Sequence, residues 1–329
     1  MGPHRVKLAI VSGLLRHYPL DLALTKIQEA GYDGVELWGG QPHAYPLDML
    51  AVGTKGEDLQ LDRERLHALR ELIAASGLEL VCITPEQLLY PINVLVDEAP
   101  PFAGDAMRAR SRRLLDLSID AAAELGCRRI VTITPVWHWR SEGAGYVRVS
   151  KPEILDAAID EIGGLCHYAE VRGVAILFEP LVHHDTNGIE TLEEVALLFN
   201  QIDSPSLRLM LDMGHIAVTA NRIGVEPVTY LRAHLERFGE KVDHIHVDDN
   251  HGTVDAHLAP GEGTVDLAGM THALVESGYD GWFSAELSIL GEYAMPDTAE
   301  RLLRETRASM RKLLARAEEE VVAARHSAG

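Results

Sequence analysis

Residues 207–215 read LRLMLDMGH, an apolar run that closes on Asp212 and passes directly into a helical pattern. Three other short apolar runs also end on an acid or an imidazole. They are VAILFEP at 174–180 with Glu179, VDHIHVDD at 242–249 with His246, and WFSAELS at 282–288 with Glu286. Strands that alternate with helices form parallel sheets, in which the strands' carboxyl ends meet at one face. We therefore expect all four side chains at the same face of a parallel barrel, where active sites lie.

These four residues form a candidate metal site, made of Glu179, Asp212, His246 and Glu286. Three carboxylates and one imidazole are hard to borderline ligands, so we expect one divalent ion, Mn²⁺ first and Mg²⁺, Co²⁺ or Zn²⁺ as alternatives. A buried acid at the end of a strand can also simply cap the helix that follows. That alternative suits a single residue, whereas four such residues in succession favour a metal site.

The length and composition of the chain fit one large domain. A (β/α)8 barrel takes about 250 residues and tolerates insertions, so 329 residues predict a single-domain α/β barrel over 1–329 with enlarged loops after its strands. No run reaches the roughly 20 apolar residues of a membrane span. The N-terminus lacks a long apolar leader and the three cysteines are isolated, which indicates a cytoplasmic protein.

The charge of the chain restricts its partners. A formal net charge of −20 disfavours nucleic acids and acidic membranes, because binding to phosphate groups depends on Lys and Arg. We expect a small-molecule substrate, no nucleic acid and no membrane.

Strand and helix patterns alternate eight times along the sequence. The predicted strands are 6–11, 34–37, 78–83, 129–133, 174–179, 207–212, 242–247 and 282–286. Thr191 and Glu194 form a capping box at the start of one helix. Long loops at 39–62, 84–104 and 136–151 belong on the active-site face, and the amphipathic segment 299–324 predicts a helix that closes the barrel.

Several motifs resemble the xylose-isomerase-like TIM barrels, a superfamily of sugar epimerases and isomerases, inosose dehydratase and apurinic endonuclease. They span nearly the whole chain and are AGYDGVELWGGQPHAY, ILFEPL, LMLDMGH, HIHVDDN followed by PGEG, and SAEL. Within the superfamily, the WGGxPHA and PGEG strings are most similar to fructoselysine 3-epimerase-like proteins. The resemblance implies a keto-sugar substrate and a homo-oligomer.

The resemblance also implies roles for particular residues. Its four metal ligands fall on the four residues predicted from the strand ends. In the 3-epimerases, the glutamates at Glu179 and Glu286 lie on opposite faces of the substrate carbon and exchange roles as base and acid. His215 and Asp185 fall where the family binds substrate, although Asp185 replaces a longer glutamate.

The loop after the seventh strand departs from the 3-epimerases. Gly252 stands where those enzymes have an arginine, and the chain has Asp255 and His257 instead. We expect His257 to contact substrate. The Asp-x-His spacing also resembles the second metal site of apurinic endonucleases, but that branch needs further histidines after strands two and three, and the loop TPEQLLYPIN has none.

Aromatic residues indicate a roomy, partly apolar mouth. Trp137 and Trp139 follow the fourth strand and Trp38 ends the second, so the pocket can stack on a group larger than a bare hexose. Between the two tryptophans, His138 is a candidate base or acid near neutral pH. The predicted substrate-binding residues are His215, Asp185, His257, Trp38, His43, Trp137 and Glu36.

Two enzymatic functions fit these residues. The first is metal-dependent proton abstraction beside the carbonyl of a keto sugar, which gives epimerisation or isomerisation. The second is elimination of an aglycone from a 3-keto glycoside by the same deprotonation, as in C-glycoside deglycosidases, which also need a small β subunit. A metal-dependent apurinic endonuclease and a noncatalytic sugar-binding barrel are remote alternatives.

Overall fold

The computed structural model describes residues 6–54, 58–85, 105–134, 139–142, 145–185 and 188–328. Within them, one sheet has eight strands and a separate hairpin has two. The sheet contains β1 (Lys7–Ile10), β2 (Gly34–Gly39), β3 (Glu79–Pro85), β4 (Arg129–Ile133), β7 (Ala175–Glu179), β8 (Leu207–Asp212), β9 (Val242–Val247) and β10 (Trp282–Ala285); the hairpin is β5 (Trp139–Glu142) and β6 (Gly145–Arg148). All eight predicted strands are confirmed, whereas the hairpin was not predicted.

The eight parallel strands form a nearly closed (β/α)8 barrel, which confirms the predicted fold class. Their order in the sheet is β1-β10-β9-β8-β7-β4-β3-β2. A parallel bridge between Val11, which follows β1, and Glu36 of β2 joins the two ends of this order. Asp212 pairs in register with His246, and Ala285 pairs with Val247. The register therefore places Asp212 and His246 side by side at the carboxyl ends of their strands.

Helices alternate with the strands. They are α1 (Leu20–Glu29), α2 (Arg63–Ser76), α3 (Asp105–Leu125), α4 (Lys151–Glu170), α5 (Leu192–Gln201), α6 (Met213–Ile223), α7 (Pro227–Phe238), α8 (Leu267–Glu276) and α9 (Pro296–Ala328). The predicted capping box at Thr191 and Glu194 is confirmed, and α9 is longer than predicted. No helix in the described part of the chain has both the length and the apolar character needed to cross a membrane.

The described residues pack into two compact units, each drawn from separate stretches of sequence. The first comprises 1–37, 73–81 and 209–329, and the second comprises 38–72 and 82–208. In the first unit, Leu8 and Phe283 are completely buried. In the second, Phe178 is completely buried and the Arg172 guanidinium lies 3.5 Å from the centre of the Tyr168 ring. The single domain predicted over 1–329 stays a prediction.

Candidate metal centre

Asp212 occupies the junction between β8 and α6. Its Oδ1 accepts a hydrogen bond of 2.8 Å from the backbone N–H of His215 and so caps α6. Its Oδ2 is buried and has no hydrogen-bond partner among the described residues. Helix capping therefore explains one carboxylate oxygen and leaves the other, which is the arrangement a cation would complete.

His246 lies beside this oxygen, on β9. Its Nδ1 is 3.8 Å from Asp212 Oδ2 and 2.8 Å from Glu286 Oε2, and ligand atoms of these three residues lie within 4.8 Å of one another. Burial alone would lower the pKa of His246, but the carboxylates of Glu36 and Glu286 outweigh it and raise that pKa well above its usual range. The imidazole is therefore protonated at neutral pH when no cation replaces the proton.

Glu286 follows β10 and differs from the other two in exposure. Its side chain is 26% exposed, whereas those of Asp212 and His246 are at most 1% exposed. Burial would raise the pKa of Glu286, but His246 and His257 lower it more, so the net shift is downward. Glu286 is thus an ionised carboxylate on the solvent side of the cluster.

Glu36, on β2, lies beneath His246. Its Oε2 accepts hydrogen bonds from His244 Nε2 at 2.9 Å, His246 Nε2 at 3.0 Å and Ser284 Oγ at 3.2 Å. The sequence analysis expected Glu36 to contact substrate. The structure shows that the side chain is completely buried and that its carboxylate faces two imidazoles, and substrate contact by Glu36 stays a prediction.

A second cluster adjoins the first and contains two of the predicted substrate-binding residues, His215 and His257. Asp255 Oδ2 lies 3.1 Å from His215 Nε2 and 2.8 Å from His257 Nε2. The other ring nitrogen of His257 is 2.5 Å from Asp248 Oδ2 and 4.0 Å from Glu286 Oε2. His257 has a φ of +45°, a conformation that is uncommon outside glycine and is held here by these contacts.

The second unit carries the remaining described candidates. Glu179 is the last residue of β7, is buried, and pairs in register with Ile133 of β4. Asp185 is half-buried in the loop that follows. The rings of Trp38 and His43 pack edge to face with centroids 6.4 Å apart.

The part of the chain after β4 leaves three predictions open. Trp137 and His138 lie outside the described residues, and Trp139 is described as backbone of β5. Their predicted roles stay predictions.

A family model described as "Xylose isomerase-like TIM barrel" matches residues 24–322. The chain belongs to this family. The match covers the strands that carry all four predicted metal ligands, and it agrees with the resemblance drawn from the motifs.

Several proteins that are similar to the chain are named as sugar 3-epimerases. A fructoselysine 3-epimerase from Shigella flexneri is 29% identical over 270 residues, 82% of this chain and 85% of the relative. A D-tagatose 3-epimerase-like crystal structure has a TM-score of 0.70 at 21% identity, covering 96% of this chain and 100% of that one. The structure of IOLI protein with a zinc atom has a TM-score of 0.70 at 20% identity, covering 95% and 99%. The last two show the fold.

The donor set of this xylose isomerase-like barrel fits a divalent cation. Carboxylate and imidazole atoms of Asp212, His246 and Glu286 lie within 4.8 Å of one another, and Asp212 Oδ2 has no hydrogen-bond partner among the described residues. Oxygen and nitrogen donors of this kind suit Mn²⁺, Mg²⁺, Co²⁺ or Zn²⁺.

Sequence reasoning missed two residues of the site, His244 and Asp248. The string HIHV at 244–247 contained a signal for the first, because alternate residues of a strand face the same side and His244 therefore accompanies His246. Asp248 directly follows β9 and is completely buried against His257. A charged residue beside a strand end carries no local sign of its partner nine residues later.

Proposed function

We propose that this chain is a divalent-metal-dependent epimerase that moves a proton at the carbon beside the carbonyl of a keto sugar. The observation that carries the proposal is the buried convergence of Asp212, His246 and Glu286, with Asp212 Oδ2 left for a cation. The similarity to fructoselysine 3-epimerase over most of both chains supports a sugar of that class.

The proposed ion is Mn²⁺, with Mg²⁺, Co²⁺ and Zn²⁺ as alternatives, and Glu179 is the proposed fourth ligand. β7 neighbours β8 in the sheet, and both strands end on a carboxylate. The zinc in the similar IOLI structure supports a divalent ion at this type of barrel. When bound, such an ion supplies positive charge where negative charge develops on the oxygens of the substrate.

The proton transfers fall to the two glutamates. Epimerisation removes a proton from one face of a carbon and returns one to the opposite face, so it needs two proton carriers. The resemblance to the 3-epimerases assigns these two roles to Glu286 and Glu179, whereas Asp212 is committed through Oδ1 to capping α6. Glu286 is ionised and partly exposed, as a base that meets substrate must be. His215, His257 and Asp185 are proposed to hold substrate hydroxyls.

Deuterium exchange tests the reaction. The Mn²⁺-loaded protein is incubated in D₂O with fructoselysine and common ketohexoses and followed by proton NMR. Deuterium beside the carbonyl, with inversion there and an intact carbon skeleton, is the expected result. Release of aglycone from a 3-keto C-glycoside would instead identify the lyase alternative.

Matched variants test whether Glu286 takes part in the reaction. Glu286→Gln should abolish the exchange while Glu276→Gln retains it, since Glu276 is an exposed helical glutamate paired with Arg232. If a metal-loaded protein exchanged no proton of any sugar offered, the proposed reaction would be rejected.

A further inference from the structure

Glu36 joins elements that are far apart in sequence. A bridge at its own backbone closes the barrel between β1 and β2, while its carboxylate contacts the imidazoles of β9, two strands beyond β1 in the sheet. The side chain therefore reaches into the barrel interior beneath His246. Glu36, His244, His246 and Ser284 are all completely buried, so water does not replace these hydrogen bonds.

The hydrogen-bond chemistry fixes the state of both rings. One carboxylate oxygen of Glu36, Oε2, lies within hydrogen-bond distance of His244 Nε2, His246 Nε2 and Ser284 Oγ. A carboxylate oxygen on which three polar groups converge is the acceptor for all of them, so each imidazole carries a hydrogen on the Nε2 that faces Glu36. The nitrogen of His246 that remains for a cation is Nδ1, which already faces Asp212 and Glu286.

We infer that Glu36 is the positioning residue of the metal centre: through one oxygen shared by His244 and His246, it holds His246 in the Nε2–H form and aims Nδ1 at the cation. His244 contributes by holding the same oxygen from a second direction, which limits rotation of the carboxylate. Such outer contacts fix ring orientation and raise the basicity of the ligand nitrogen. The inference rests on the metal site of the proposed function and is independent of the sugar chemistry.

Metal affinity provides the first test. Mn²⁺ binding is titrated calorimetrically for the wild type, Glu36→Gln, Glu276→Gln and Leu24→Ala. Glu36→Gln keeps the side-chain shape and one acceptor oxygen but removes the negative charge that both imidazoles contact, so its Kd should rise about 10- to 100-fold. Leu24→Ala removes a buried side chain of α1 and controls for lost stability, and both controls should keep the wild-type Kd.

The outcomes separate this inference from the proposed function. Equal Mn²⁺ affinity of folded Glu36→Gln and wild type would overturn the positioning role alone, because a purely structural Glu36 would lower the melting temperature without changing the Kd. Failure of the wild type to bind any of Mn²⁺, Mg²⁺, Co²⁺ or Zn²⁺ would overturn both.

Nitrogen NMR keeps the inference testable should Glu36→Gln fail to fold. Long-range proton–nitrogen spectra of ¹⁵N-histidine-labelled, Zn²⁺-loaded wild type report which ring nitrogen carries hydrogen. The expected result is hydrogen on Nε2 of both His244 and His246, with zinc on Nδ1 of His246. Zinc on Nε2 of His246, or a His244 without hydrogen on Nε2, would overturn the inference.

Discussion

Two substitutions of Asp212 should separate its two oxygens. Asp212→Asn keeps an oxygen that can accept the His215 N–H and cap α6, but it removes the charge that faces the cation. Asp212→Ala removes both functions. The structure assigns one function to each oxygen, with Oδ1 at 2.8 Å from the His215 nitrogen and Oδ2 without a hydrogen-bond partner in the described chain.

The expected magnitudes follow from these assignments. Loss of an N-cap costs about 1 kcal/mol, and each kcal/mol shifts the melting temperature of a large domain by about 2–4 °C. Metal-free Asp212→Ala should therefore melt about 2–4 °C below the wild type, whereas metal-free Asp212→Asn should melt close to it. A ligand at about 100 times its Kd stabilises by about 2.7 kcal/mol, so Mn²⁺ should raise the wild-type melting temperature by about 5–10 °C and should raise neither variant's.

Differential scanning calorimetry of the wild type and each variant, first with EDTA and then with Mn²⁺, measures the loss of the helix cap and the stabilisation by the metal separately. If Asp212→Asn kept the full Mn²⁺-dependent rise, Asp212 would not be a ligand. If metal-free Asp212→Ala melted with Asp212→Asn, the cap would contribute nothing. Either result would refute the division of roles between the two oxygens.

Three further predictions concern the same face of the barrel. The pKa of His246 is raised, so the contribution of this group to metal-free stability is complete below about pH 6.5 and is lost as pH rises through the raised value. Over the same rise, metal binding should strengthen and should release about one proton. Calorimetry in buffers of different ionisation enthalpy detects that proton, and a pH-independent affinity would contradict the prediction. His257→Ala leaves buried Asp248 without its imidazole. Because burial and the neighbouring Asp212 raise the pKa of Asp248, the carboxyl becomes neutral and the variant should lose about 1–3 kcal/mol in urea unfolding, the cost of an unsatisfied buried polar group. Adding Asp248→Asn should recover part of the loss, and full wild-type stability of the single variant would count against the pair. Gly214→Ala would place a methyl group against the Asp248 carboxylate, whereas Gly163→Ala would meet its nearest side chain at 3.8 Å. In parallel titrations, Gly214→Ala should lower both the free energy of unfolding and the Mn²⁺ affinity relative to Gly163→Ala. Equal stability and equal affinity of the two variants would show that the Asp248 side chain moves aside without cost.

The parts of the fold that could be predicted are those with local signals. Each strand is a short apolar run with its own turn residues, and each predicted ligand stands at the end of such a run, so the eight strands follow without knowledge of what packs on them. The hairpin β5–β6 was missed although its paired residues Glu142 and Gly145 are separated by only two residues in sequence, a spacing typical of a short hairpin.

Partnerships across the barrel could not be predicted in this way. Glu36 and His246 are 210 residues apart in sequence, and no local pattern of GVELWG distinguishes a carboxylate that binds substrate from one that holds a histidine. The structure adds what the pattern lacks, namely that the Glu36 carboxylate is buried and contacts His244 and His246. The contact between Asp248 and His257 could not be predicted either, because it accompanies a left-handed backbone at His257 that no local pattern indicates.

The exposures of the cluster indicate how binding and chemistry divide among its residues. Asp212 and His246 stand in register on neighbouring strands, and each is held by a second contact, the first by the start of α6 and the second by Glu36. Ligands fixed by the sheet keep the geometry of a cation constant. Glu286 lies just beyond β10, where its loop is tied to the preceding one by the hydrogen bond from Ser288 N–H to the His257 carbonyl at 2.9 Å. Because Glu286 is the exposed member of the three, the proposed reaction predicts that substrate approaches the cluster from the Glu286 side, where a base would meet the substrate carbon without disturbing the two proposed buried ligands.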